Sequence, residues 1–237
     1  MNGSGKDRSI APQAGPGSDV EAFLRKASET PPVRKSGRGR LIFALDATMS
    51  RQPTWDLAQG LTGRMFETTS KLGGLDVQLV YFRGFNECRA SAFLPDGLGL
   101  AALMGKISVQ GGNTQIGRVL DHVKGETKRA PVGALIYVGD AMEEQVDELC
   151  VAAGELGLLG VKAFMFHEGY DMGAEMAFRE IARLTNGAFA KFDHSAPGRL
   201  AALLAAAAAY AAGGRMALEK QAREGHEAAR LLLTQMR

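Results

Sequence analysis

"RLIFALDATMS", residues 40–50, decides the fold. Leu41 to Leu45 are apolar at both parities of a strand alternation, so both faces of such a strand are covered, as in a parallel sheet between two helical layers. The run stops at Asp46, and hydroxyls follow at Thr48 and Ser50, alternate positions that point the same way in an extended loop. A second stretch, "VGALIYVGDA" at 132–141, repeats the design and stops at Asp140.

Working outward, "TWDLAQGLTGRMFETTSKLGG" has helical spacing and a glycine stop at Gly73 and Gly74. "DVQLVYFRGF" and "CRASAFL" read as strands joined by Asn86 and Glu87, a spacing that permits only an antiparallel hairpin. Helices are expected over Gly97–Ser108 and Gln115–Arg129, then over "EQVDELCVAAGELGLLG" and "AEMAFREIARLTNG", with strands at "VKAFMFHEG" and "AFAKF". Strands alternating with helices imply right-handed crossovers and a doubly wound α/β domain: a mostly parallel sheet, one antiparallel edge strand, and helices on both faces. The domain is expected at 39–213. Residues 1–38 have the Gly, Pro and Ser content of a flexible leader, with a short helix at 18–29 opened by a Ser18/Glu21 capping box, and 214–237 read as a helical tail.

Composition excludes several classes of function. A net charge of +2 gives no bulk attraction for nucleic acid, and the basic stretch "RKSGRGR" reads as a solvated linker. No apolar signal segment opens the chain, and the Ala-rich stretch from Leu200 is about 15 residues, short of the roughly 20 of a bilayer span. It reads as a helix packed on the domain. Cys88 and Cys150 lie far apart, outside any C-x-x-C pattern, as reduced thiols of a cytoplasmic chain would.

Ligands of open α/β sheets bind beyond the carboxyl ends of the strands, where strand order reverses. With the hairpin on one side of the first strand and "ALIYVGD" on the other, Asp46 and Asp140 face one crevice. Thr114, in "GGNT", joins them after two glycines that allow close backbone approach. Carboxylates plus hydroxyls form an all-oxygen set suited to Mg²⁺ or Mn²⁺, with Ca²⁺ as a third alternative, and no Cys or His stands by for zinc.

These residues resemble the von Willebrand factor type A (VWA) domain with its metal-ion-dependent adhesion site (MIDAS). Its D-x-S/T-x-S motif matches Asp46, Thr48 and Ser50; its second element, a Thr in a Gly-rich loop before a helix, matches Thr114; its third, an Asp ending the fourth strand, matches Asp140. The similarity spans roughly residues 40–212. Thr48 replaces the commoner Ser, and Ala141 stands where the family often has Gly. The resemblance implies that the hydroxyls ligate the metal directly, that the aspartates do so directly or through water, and that the free position takes an acidic side chain from a partner protein. It implies a non-catalytic bacterial adaptor in a cytoplasmic complex, alongside an AAA+ ATPase or chaperone; the near-balanced charge and the short Ala-rich stretch point to binding neither nucleic acid nor membrane.

Other readings compete. Asp46 ends its strand like the nucleophile of a Mg²⁺-dependent phosphatase, but Thr48 occupies the place of the second Asp in the D-x-D pattern. "GLAALMGKIS" fails as a phosphate loop because Ile107 replaces Ser or Thr. His167, Glu168 and Asp171 read as solvent-facing polar residues without a paired nucleophile, and His122 as a surface residue. Trp55 reads as packing at a helix start, and Glu143 and Glu144 as acids in the first turn of their own helix. A metal-free interaction domain is a further alternative.

Overall fold

The expected alternation is realised as β1 (Gly39–Asp46), α1 (Gln52–Thr69), β2 (Leu75–Arg83), β3 (Glu87–Leu94), α2 (Gly97–Met104), α3 (Ile116–Arg129), β4 (Ala134–Gly139), α4 (Val146–Leu158), β5 (Lys162–Glu168), α5 (Met172–Leu184), β6 (Ala188–Phe192), α6 (Pro197–Arg223) and α7 (Glu227–Leu233). This computed structural model describes residues 37–48, 52–69, 72–193 and 196–236, within a unit spanning Arg38–Arg237. The helix expected at 18–29 and the ligand candidate Ser50 lie outside the described residues.

The six strands are ordered β3-β2-β1-β4-β5-β6, parallel except for β3, which pairs antiparallel with β2 at one edge. Successive side chains leave opposite faces of the sheet, which accounts for the unbroken apolar runs. Leu41, Phe43 and Leu45 face α1, α2, α6 and α7, whereas Ile42 and Ala44 face α3, α4 and α5. Both faces of β1 are covered, and burying a side chain such as Phe43 contributes about 1.5–3 kcal/mol.

Several expectations need correction. Gly214, at the expected boundary between the Ala-rich helix and the tail, interrupts α6 with a non-helical φ of 66°, and a second helical stretch carries the element on to Arg223. At 27 residues it is long and apolar enough to cross a membrane by length and composition, so the argument from shortness fails. Packing describes it better, because Leu200, Leu203, Leu204 and Ala207 lie in the core beside Phe43 and Phe166. Beyond the kink, Leu218, Ala229, Leu232 and Met236 are buried in the same cluster.

Arg38 and Arg40 are structural rather than solvated. Arg38 pairs with Asp76 at 2.5 Å and donates to the carbonyls of Leu75 and Pro95, while Arg40 bonds Glu126 at 3.0 Å and lies over the Phe93 ring. His122 is half-buried, its Nε2 2.9 Å from Gln78 Oε1. Trp55 packs as expected, edge-on to Tyr81, and its indole donates to the Met104 carbonyl at 3.2 Å.

Candidate metal centre

The chain leaves β1 for β2 on one side and returns to β4 on the other, so strand order reverses between β1 and β4. Leu45 is level with Val138, which puts the ends of the two strands, Asp46 and Asp140, at the same edge. This is where an open α/β sheet offers a crevice.

Asp46 turns the chain locally. Its Oδ1 accepts the Thr48 N–H at 2.7 Å, the side chain-to-backbone bond of an Asx turn, and both residues are almost fully buried. The loop between α2 and α3 is bonded to this turn, since Gln110 N donates to the Ala47 carbonyl at 3.0 Å and Ala47 N donates to Phe82 at 2.9 Å. Further along, Asn113 N donates to the Gly84 carbonyl at 3.1 Å, and the Gln115 amide reaches the carbonyls of Arg83, Gly84 and Glu87. A Cβ at Gly112 would overlap the Gly84 carbonyl, so this close approach requires glycine there; Gly111 faces open space.

Thr114, buried at the end of that loop, forms a reciprocal pair with Glu143. Thr114 N donates to Glu143 Oε2 and Glu143 N donates to Thr114 Oγ1, both at 3.0 Å. The loop after β4, which begins at Asp140, is thereby tied to the loop that carries Thr114. Glu144 bonds the first N–H groups of α3, those of Ile116 and Gly117, at 2.7 Å each. These two acids do not act in the first turn of their own helix. They serve the neighbouring loop and helix terminus, where a carboxylate meets unpaired N–H groups and the positive end of the dipole.

Three of the five proposed ligands, Asp46, Thr48 and Thr114, are therefore near-buried oxygen donors in loops that hydrogen bonds join together. Asp140 is partly exposed beside them at the end of β4. The donor set fits a hard divalent cation. Thr114 Oγ1 spends one lone pair on the Glu143 N–H and keeps a second for a metal. Among the described residues no group of three or more His, Cys, Asp or Glu could hold an ion, so a site here would depend on hydroxyls as well as carboxylates.

His167 and Glu168 are not surface residues. His167 is fully buried at the end of β5 with Nε2 3.2 Å from the Asp140 carbonyl, and Phe178 and Phe189 flank its ring. Burial pushes its pKa down, so the neutral ring donates to Asp140 and steadies the backbone of the third motif. Its Nδ1 is buried and has no hydrogen-bond partner among the described residues. Glu168, also buried, accepts from the Thr54 hydroxyl in the first turn of α1, a long-range bond between β5 and α1. Asp171 caps α5, accepting from Ala174 N at 2.6 Å. The available signal was parity: His167 continues the alternation Ala163, Met165 into the sheet rather than opening a loop.

Comparison with solved structures places this architecture. The SpRpn10 VWA domain superposes with a TM-score of 0.54 at 12% identity, covering 69% of this chain and 95% of that one. The fold is that of a von Willebrand factor type A domain. An aerotolerance-related membrane protein from Bacteroides fragilis gives a TM-score of 0.52 at 18% identity over 68% of this chain and 95% of that one. Proximal thread matrix protein 1 from the mussel byssus, in a form with a zinc-occupied MIDAS motif, gives 0.59 at 16% identity over 79% of this chain and 51% of that one. At such identities the likeness is one of fold alone. The sequence matches no protein-family model and no curated protein.

Proposed function

We propose that the chain is a metal-dependent protein-interaction module. In this reading Asp46, Thr48, Ser50, Thr114 and Asp140 hold a divalent cation whose remaining position takes an acidic side chain from a partner protein. The observation that carries it is the bonding of the three motif loops: Gln110 N to the Ala47 carbonyl, and Thr114 to Glu143 in both directions.

Charge chemistry supports the choice of ion and ligand. Two carboxylates neutralise a divalent cation, and neutral hydroxyls leave it electrophilic enough to attract a further carboxylate. Oxygen donors favour Mg²⁺ or Mn²⁺, with Ca²⁺ as the alternative. A VWA neighbour with a zinc-occupied MIDAS supports divalent binding at this kind of site. The role is non-catalytic, because Thr48 stands where a phosphatase of the D-x-D type requires its second carboxylate, and the His167 Nε2–H is committed to the Asp140 carbonyl. The partner class carried by this reading is a bacterial cytoplasmic assembly built around an AAA+ ATPase or a chaperone.

Isothermal titration of Mg²⁺ and Mn²⁺ into the wild type and Asp46→Ala tests the site; equal binding by both removes it. Capture of a partner that survives a chelator removes the metal-dependent docking.

A further inference from the structure

We propose that a concavity between the β2–β3 hairpin and α3 binds a compact oxyanion, a carboxylate or a phosphate group, without metal. The cavity has a volume of about 280 Å³ and is lined by Val80, Asn86, Cys88, Arg89, Arg118 and His122. That is just below the roughly 300–1,000 Å³ of pockets for drug-sized ligands, which suits a single anionic group.

Arg118 is the decisive residue. It sits in the first turn of α3 and is exposed, and its Nη1 is held by neutral acceptors only, the Asn86 carbonyl at 2.7 Å and Gln115 Oε1 at 2.8 Å. It makes no ion pair with any described residue, whereas Arg38, Arg40, Arg83 and Arg179 each hold a carboxylate. These two bonds aim the guanidinium and leave its other N–H donors available, the arrangement that a forked contact to an oxyanion needs.

The acids near the cavity are engaged elsewhere, and Glu126 holds Arg40 and Arg129. Glu87 is taken by Arg83 at 3.0 Å and by Tyr81 at 3.1 Å, leaving Arg89 only a loose contact at 3.8 Å. Glu144 spends both oxygens on the start of α3. Val80 beneath the cavity is fully buried, and burial pushes the Cys88 thiol up, so it stays neutral. His122 is oriented as well. The Gln78 amide donates to the Ser91 carbonyl at 2.8 Å, so its oxygen faces the ring and His122 Nε2 carries the proton.

The inference is independent of the metal reading and is tested on the full, metal-free chain in buffer without chelator, at fixed ionic strength. Inorganic phosphate and, separately, glutarate are titrated while backbone and arginine Nε–H resonances are followed by NMR. Saturable shifts confined to Asn86, Cys88, Arg118 and His122 are expected, with at least tenfold weaker binding in Arg118→Gln at an unchanged melting temperature. A response to phosphate alone assigns a phosphoryl group as the ligand, and a response to glutarate alone assigns an acidic side chain. No saturable shift with either anion, or an Arg118→Gln titration matching the wild type, overturns the proposal.

Discussion

Thr114 and Glu143 exchange two hydrogen bonds, each backbone N–H donating at 3.0 Å to the other residue's side-chain oxygen. This pair joins the second and third motif loops before any ion is considered. Thr114→Val keeps the shape and removes the oxygen, leaving the Glu143 N–H without its acceptor at a cost of about 1–3 kcal/mol. Denaturant unfolding should register that loss, and Mg²⁺ titration a weaker affinity, while Thr114→Ser restores both. Glu143→Gln keeps an acceptor for Thr114 N and should bind Mg²⁺ better than Glu143→Ala; equal affinities would show that the pair does not set the loop.

The glycines before Thr114 are unequal. Gly112→Ala drives a methyl into the Gly84 carbonyl, so the backbone of the loop or the hairpin must move. Overpacking of this kind costs about 1–3 kcal/mol. Gly111→Ala meets open space and is expected to be near neutral. Thermal unfolding of the two variants, together with Mg²⁺ titration, separates a loop that needs close approach from one that merely needs flexibility.

Much of this was written locally. The apolar run from Leu41 to Leu45 fixes a strand covered on both faces, and the short span between Phe85 and Cys88 fixes the hairpin, so sheet order follows from crossover rules. What escaped was long-range pairing. Nothing near Glu144 in sequence announces that it caps the start of α3, nor does anything near Glu168 announce Thr54 on α1, because those partners meet only after the sheet is assembled. His167 reads as a loop residue because a polar residue after an apolar run resembles a loop, although its parity points inward.

Acid sensitivity should have a component from α5. Glu175 is held by Lys191 at 2.5 Å and Arg179 at 2.7 Å, which lowers its pKa from 4.5 to about 2. A carboxylate depressed in the folded state contributes stability that is fully present above its unfolded pKa and is lost as pH falls from about 4.5 to about 2. Glu175→Gln lacks this component, so wild type and variant should differ in denaturation midpoint near pH 6 and converge by about pH 2. A difference that stays constant with pH would assign the effect to packing.

The C-terminal segment has a definite task at the β6 edge. Gln235 accepts from Phe189 N at 3.0 Å and donates to the Phe189 carbonyl at 2.9 Å, taking the place of a neighbouring strand at that residue. An open edge is a template for pairing with other chains, and capping it with a side-chain amide removes that option locally. Gln235→Leu should cost about 1–3 kcal/mol, because both main-chain groups lose their partners beside a buried ring. Gln235→Glu keeps the acceptor and loses the donor, so its stability should fall between wild type and Gln235→Leu. Hydrogen exchange at the Phe189 amide is the direct readout: protection should drop sharply in Gln235→Leu and persist in Gln235→Glu. Equal protection in all three would show that α7 packing alone, through Leu232 and Met236, closes the edge.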